Sequence, residues 1–391
     1  MKKGKILVIR WGQVRIHEYF LANLLHEKGY EVDFAVYTPS YAYKNEHIIS
    51  LFEKIKDNFR VYEFKESYFK KQLIRTNTLL NKIFNKSYLP FFIGYLLPSQ
   101  LRKKINPDDY LFVIPVEQTS LYWTTQAWRI QEKLIYYSLE IQKKGDDDIS
   151  INFEAIIRKE LEAIHAGIYA LIIQDKFRAE SLVSEEVQNF KFKIAYLPVF
   201  VEGDAYTKRN NYFHIKFGIQ QEKKILLYFG EVYTERKLPQ LISAFKAFKN
   251  KDYVLVFHGS KLLNDLIGVN DNIFVSQDFL PFDQINAIIS SAHMGIAFYD
   301  NKKLNSRFTA FSSEKITRYL QCGIPFVAFN NESYQALNAI SECAYLIKDF
   351  TELETAIVSI DEQYDLFSSN AFNAYKFFSK DSALNSLNAV L

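Results

Sequence analysis

The stretch Ser312-Ser313-Glu314-Lys315-Ile316-Thr317-Arg318-Tyr319-Leu320-Gln321-Cys322-Gly323-Ile324-Pro325-Phe326-Val327-Ala328 decides how this chain is read. Two serines open a helical pattern and a lysine stands in its first turn. Glycine closes the helix, and proline leads directly into an apolar strand. The first amides of a helix have no intrahelical acceptor, so such a start offers N–H groups, hydroxyls and a cation to an anion. Ser313 at the N-cap is expected to satisfy one of those amides with its hydroxyl. A diphosphate placed there gains ~0.3–1 kcal/mol from the helix dipole, and more when partly buried. The same letters also describe an ordinary capped helix with a surface lysine.

Outward from this helix, apolar runs alternate with helical patterns along the whole chain. Strands are expected at 5–10, 31–36, 60–64, 111–114, 134–138, 170–173 and 194–197, and again at 224–229, 253–257, 272–275, 294–298, 325–329 and 344–347. Between the first two lies a helix with Ile16, Phe20 and Leu24 on one face, closed by Gly29. Strands that are apolar throughout and alternate with helices imply parallel sheets covered on both faces. The fold class is therefore α/β, with two Rossmann-like doubly wound domains. The expected division is 1–205 for the first domain, 206–375 for the second and 376–391 for a C-terminal helix, with Thr207 to Asn211 as linker. Ligands of open parallel sheets bind beyond the carboxyl ends of the strands, so two such domains facing each other would form a cleft. Transferases, epimerases and binding proteins share that architecture, and fold alone does not choose among them.

Composition bounds the rest. The 391 residues carry a net charge of only +3, so the molecule as a whole is no polycation. Two cysteines, Cys322 and Cys343, form neither a disulfide framework nor a metal spacing and fit a reducing, cytoplasmic setting. The apolar run after the basic start is too short for a signal peptide, and no segment reaches the ~20 apolar residues that span a bilayer. Local charge is more informative. Nine Lys and Arg fall between 65 and 104 against Glu66 alone, interleaved with aromatic residues. An anionic membrane surface attracts such a segment, by ~1 kcal/mol per basic residue. No nucleic-acid motif accompanies it, so nucleic acid is not the expected partner. It also reads as a solvated helical face. The triplet Asp146-Asp147-Asp148 reads as a charged loop, and no metal is expected.

Other candidate residues stand at strand ends. Gly12, Gln13 and Arg15 follow the first strand, with a single glycine where a dinucleotide fingerprint needs three. Glu117 and Glu140 follow two later strands of the first half. Glu140 is the favoured carboxylate for an acceptor hydroxyl or for positive charge at a sugar carbon, although it reads equally as a cap. In the second half, Tyr228-Phe229-Gly230-Glu231-Val232-Tyr233-Thr234-Glu235-Arg236-Lys237-Leu238 ends a strand at Gly230 and begins a helix near Leu238. A cation at a helix start opposes the dipole, which points to an anion beside Arg236.

The opening stretch resembles the donor-binding motif of GT-B glycosyltransferases, Pro-Ser-Lys-Leu-x-Glu-Tyr-x-x-x-Gly-x-Pro-Val. The segment around Arg236 resembles that fold's Gly-Arg-Leu-x-x-x-Lys-Gly loop, with Arg236 on the lysine that meets the donor diphosphate. The large retaining family four is the nearest pattern. The resemblance implies a nucleotide-sugar donor substrate, no prosthetic group and no metal. It implies Arg236 and Lys315 as the cations that stabilise the departing diphosphate, with Gly230, Ser312, Ser313 and Arg318 around the donor and Gly12, Gln13 and Arg15 facing it. The acceptor would be a glycan or lipid-linked sugar, and the C-terminal helix would cross back onto the first domain. The pathway would be assembly of a bacterial surface glycan such as capsule, O-antigen or lipopolysaccharide, on the inner face of the membrane. Two departures stand out. Glu231 falls on the family's arginine. Arg318 falls on the glutamate that holds ribose hydroxyls, and the earlier glutamate of that pattern falls on Ala310. Arginine cannot accept from hydroxyls, so Arg318 is expected to meet an anionic group and to change donor choice. A non-catalytic GT-B protein, an epimerase or an inverting transferase remain as alternative readings.

Overall fold

A computed structural model of the chain describes residues 3–38, 46–65, 98–142, 151–230, 237–259, 272–278 and 284–391. It divides into two compact units, Met1–Leu197 with Ala383–Leu391, and Pro198–Ser382.

The first unit is built on a seven-stranded sheet. Its strands are β1 (Lys5–Trp11), β2 (Glu31–Thr38), β3 (Arg60–Lys65), β4 (Phe112–Val116), β5 (Ile135–Tyr137), β6 (Ala170–Ile173) and β7 (Lys193–Tyr196). They lie in the order β3-β2-β1-β4-β5-β6-β7, and every pair is parallel. The second unit carries six strands: β8 (Lys224–Phe229), β9 (Tyr253–His258), β10 (Ile273–Ser276), β11 (Met294–Ala297), β12 (Phe326–Phe329) and β13 (Ala344–Ile347). Their order is β10-β9-β8-β11-β12-β13, again all parallel. Both sheets are doubly wound. The order reverses between β1 and β4 in one and between β8 and β11 in the other, and a crevice at such a reversal is where these sheets take ligands. Strands such as Phe112–Val116 and Tyr253–His258 are buried along their whole length, as helices on both faces require.

Contacts place the division after Leu197, eight residues earlier than the sequence suggests. Val199 donates its N–H to Phe311 O at 2.8 Å, Val201 lies in the core of the second unit, and Tyr206 N bonds Gln321 O at 2.7 Å. The stretch around Arg209 is likewise part of the second unit, with Arg209 donating to the Tyr364 hydroxyl at 2.6 Å, so it is not a free linker. Phe378 packs in the same core, whereas Lys28 donates to Leu384 O at 3.1 Å in the first unit.

Helix Glu314–Gln321 is fastened to the second sheet through Tyr319. Strands β8 and β11 pair only at Met294 with Leu226 and at Gly295 with Leu227, and then part. The Tyr319 hydroxyl fills the opening: it donates to Leu227 O at 2.7 Å and accepts from Phe229 N at 3.1 Å. The two strands thus keep their backbone groups satisfied where they separate. The ring passes so close to Gly295 that a Cβ there would lie 2.5 Å from it. Gly323 ends the helix with φ +61°, and a Cβ there would lie 2.2 Å from Phe372, so both the conformation and the space require glycine. Tyr319→Phe is expected to destabilise the second unit by ~1–3 kcal/mol in urea unfolding, because two buried backbone groups lose their partner. A stability within experimental error of the wild type would refute this account of the helix.

Candidate functional site

The second unit gathers its candidate groups at the β8/β11 reversal. Ser313 is the N-cap of helix Glu314–Gln321, but its hydroxyl does not cap. It bonds the Tyr299 hydroxyl at 2.7 Å instead, and Ser312 Oγ donates to Phe308 O at 2.9 Å. The expected hydroxyl cap is therefore replaced, because Tyr299 at the end of the neighbouring strand competes for it. Lys315 is only 5% exposed. Its ammonium lies 3.8 Å from the centre of the Tyr228 ring and 5.2 Å from that of Tyr299. Such rings attract a cation through their negative faces. Gly230 follows β8, and a Cβ there would come within 3.6 Å of Lys315 Cε. Gly230, Lys315, Ser313 and Tyr299 thus meet at one end of the sheet.

Arg318 turns away from solvent and is 2% exposed. It donates through Nε to Glu314 Oε1 at 3.0 Å and through Nη1 to Asn286 Oδ1 at 3.0 Å. Asn286 in turn donates to Gln321 Oε1 at 2.9 Å, and Gln321 holds the carbonyls of Glu202 and Asp204 at 3.1 Å each. Arg318 therefore braces the helix and fixes the Glu314 carboxylate at its first turn. Arg236, Glu231 and the acidic triplet at 146–148 lie outside the described residues, as does 66–97 of the basic stretch. Beside them, Lys237 stands at the start of helix Leu238–Lys246 with φ +53°, its ammonium 4.8 Å from the centre of the Phe329 ring at the end of β12. At the far end of the basic stretch, Arg102 donates to Gln126 O at 3.0 Å and Lys104 to Glu63 O at 3.1 Å.

The first unit places a second cluster at the β1/β4 reversal. Gly12 has φ +96° and bonds Tyr37 O at 2.8 Å, while Gln13 O accepts from Arg10 Nε at 3.0 Å. Arg15 precedes helix Ile16–Glu27, where its N–H donates to Glu18 Oε2 at 2.8 Å, and its half-exposed side chain lies 3.9 Å from Glu117 Oε1. Buried Arg10 and Glu18 pair at 3.2 Å. Glu140, the favoured carboxylate, is 45% exposed and 3.9 Å from Arg178.

Glu117 is the group whose importance the sequence hides. β4 ends at Val116 and helix Glu117–Ala127 begins at once, so the whole change of direction falls on one residue. Glu117 takes φ +69°, a left-handed conformation that costs a side-chain-bearing residue ~1–3 kcal/mol. Its side chain is 12% exposed. Burial pushes its carboxyl up to about 7, against the opposing pull of Arg10; Glu140 and Glu18 push the same way as burial, and Arg15 opposes them. The only sequence signal is a strand running into a helix without a glycine or a capping residue. Behind it, Tyr136 donates to the fully buried Glu160, whose carboxyl burial pushes up to about 8. Asp175, the N-cap of helix Lys176–Val183, is pushed up to about 6 by burial as well.

No family model matches the chain, and no curated protein matches it in sequence. Solved structures do. HepE from Anabaena, in complex with UDP and glucose, superposes with a TM-score of 0.66 over 98% of this chain and 98% of that one, at 13% identity. Sucrose-phosphate synthase from Thermosynechococcus elongatus gives 0.65 over 99% and 98%, at 12% identity. The lipopolysaccharide outer core galactosyltransferase WaaB, in its apo form, gives 0.59 over 98% of both chains, at 12% identity. The fold is GT-B. At such identities the likeness is one of fold, and the chemistry has to come from this chain's own residues. Among the described residues, no helix is long and apolar enough to cross a membrane.

Glu160 gives the cluster a pH signature. Its carboxyl titrates near 8 when folded and near 4.5 when free, so the folded state holds a proton that the unfolded state has released. This contribution is complete below pH 4.5 and is lost as pH rises towards 8, at up to ~1.4 kcal/mol per pH unit. Glu160→Gln, neutral at every pH, is expected to flatten the fall in melting temperature between pH 5 and 8 and to be relatively more stable at the upper end. An unchanged pH profile would contradict this.

Proposed function

We propose that the protein is a glycosyltransferase that moves a sugar from a nucleotide-sugar donor, bound by the second unit, to an acceptor hydroxyl bound by the first. The observation that carries this reading is the arrangement of Lys315. A cation held on tyrosine faces sits at the first turn of a helix, beside Gly230 and at the sheet's reversal point. Helix amides, a fixed ammonium and a close backbone are what a diphosphate needs. During transfer the bond between the anomeric carbon and the diphosphate breaks and negative charge collects on the leaving oxygens. Preorganised donors and cations stabilise that charge. Lys315 takes this role with Arg236, and the first amides of helix Glu314–Gln321 add to it. Arg318 bears on donor choice through Glu314, whose carboxylate it fixes.

A uridine diphosphate sugar is the proposed donor class. HepE has been solved with UDP-glucose, and an E. coli protein of the same fold with UDP-2-fluoro glucose. Retention at the anomeric carbon follows from the resemblance to family four. A place in surface polysaccharide assembly fits the basic aromatic stretch at 65–104, which suits a membrane-borne acceptor.

Lys315→Met keeps the side chain's bulk and removes its charge. It is expected to weaken UDP binding at least tenfold by titration calorimetry, since a hydrogen bond to a charged group contributes ~1.5–3 kcal/mol. The wild type is expected to release UDP from at least one of a panel of UDP-sugars. Unchanged UDP affinity in the variant would remove Lys315 from the site. Binding without turnover of any nucleotide sugar would favour the non-catalytic reading.

A further inference from the structure

Several features of the first unit converge on one residue that the proposed diphosphate site leaves unused. Glu117 stands alone at the elbow between β4 and helix Glu117–Ala127, with φ +69°. Glycine adopts this conformation freely, and a glutamate there is a standing cost that packing does not need. The elbow lies at the carboxyl end of β4, beside β1, at the reversal of the sheet order. Among the described residues, Glu117 Oε1 accepts no hydrogen bond, and Arg10 Nη1, on a side chain only 6% exposed, donates none. Arg10, the penultimate residue of β1, and Arg15, from the loop that follows, both act on the Glu117 carboxylate. A strained carboxylate and a buried guanidinium, each with an open hydrogen-bonding position, match a polar ligand that both accepts and donates. A sugar hydroxyl is such a group.

We infer that Glu117, rather than Glu140, is the catalytic residue that receives the proton of the acceptor hydroxyl. The inference rests on the sugar-transfer reading above. An acceptor hydroxyl must lose its proton in either stereochemical course. Its oxygen lone pair forms the new bond to the anomeric carbon. The bond from that carbon to the diphosphate oxygen breaks, and its electron pair leaves on the diphosphate. The hydroxyl proton passes to the Glu117 carboxylate and from there to water. Arg10 and Arg15 keep the carboxylate ionised before transfer, and burial makes it basic enough to take the proton. Glu18 from helix Ile16–Glu27, Glu140 beyond β5, Glu160 from helix Ile151–His165 and Arg178 from helix Lys176–Val183 are the other charged groups whose fields reach it. Glu140 differs in each respect. It lies in an open loop, and its carboxylate already faces Arg178.

Donor hydrolysis serves as the assay, with water in place of the unidentified acceptor, and the full chain is used. In the wild type, kcat/KM for the UDP-sugar that turns over is expected to fall on the acid side with a limb near pH 7, where the Glu117 carboxyl titrates. Glu117→Gln is expected to lower kcat at least 100-fold, to abolish that limb and to leave UDP affinity within twofold. Glu140→Gln is expected to stay within a few fold of the wild type. Glu117→Gly, which relaxes the backbone, is expected to melt no lower than the wild type while losing the same activity. A Glu117→Gln enzyme that keeps its rate and its acid limb overturns this inference alone. So does a Glu117→Gly chain that melts several degrees lower, since Glu117 would then be structural. A wild type that turns over no nucleotide sugar overturns the transfer reading and the inference with it.

Discussion

The hydroxyl of Tyr319 holds the second unit's site together. Parallel strands that separate at a reversal point leave backbone groups facing an opening, and an unpaired buried carbonyl or amide is costly. Here one phenol answers both Leu227 and Phe229. Because the tyrosine belongs to helix Glu314–Gln321, satisfying the strands also fixes the height and rotation of that helix. Thr317 bonds Val199 O at 2.6 Å and Gln321 binds the carbonyls beyond it, so the segment entering this unit is tied to the same element. Lys315, one turn before Tyr319, is delivered to the faces of Tyr228 and Tyr299 as a consequence. Few positions on this helix can change independently.

The first unit meets the same topological problem with different chemistry. Its reversal point carries the charges of Arg10, Arg15, Glu18 and Glu117 beside the stacked rings of Trp11 and Tyr37, and burial raises the Glu117 carboxyl there. Glu117, Glu160 and Asp175 are all raised by the same cause, loss of water, to about 7, 8 and 6. Only Glu117 combines that with a strained backbone and an outlet at the end of the sheet. Glu160 is sealed beneath Tyr136, and Asp175 spends an oxygen on the amide of Arg178.

The thirteen strands were legible because strands buried on both faces are written as uninterrupted apolar runs, and the Gly323-Ile324-Pro325 stop marks its helix end without ambiguity. The place of Lys315 in the first turn of that helix was legible too, though its burial against Tyr228 was not. Three points were not. The sequence shows two carboxylates after neighbouring strands but neither the backbone angle of Glu117 nor the exposure of Glu140, so it holds no geometric ground for choosing between them. It shows Arg318 as a cation without showing Glu314 and Asn286 waiting for it. It takes polar residues after Tyr206 for a linker, because the partners of that stretch are distant in sequence: Ala292 and Tyr364 for the Arg209 side chain and Ser290 for the Asn210 amide.

A structure of the protein with a bound UDP-sugar tests the central claim most directly. The account predicts the diphosphate at the first turn of helix Glu314–Gln321, within contact of Lys315 and the backbone at Gly230. A nucleotide found elsewhere would contradict it. The second unit offers such a place in the hollow of about 350 Å³ lined by Arg209, His214, Lys224 and Tyr364, at the opposite, amino ends of β8 and β11.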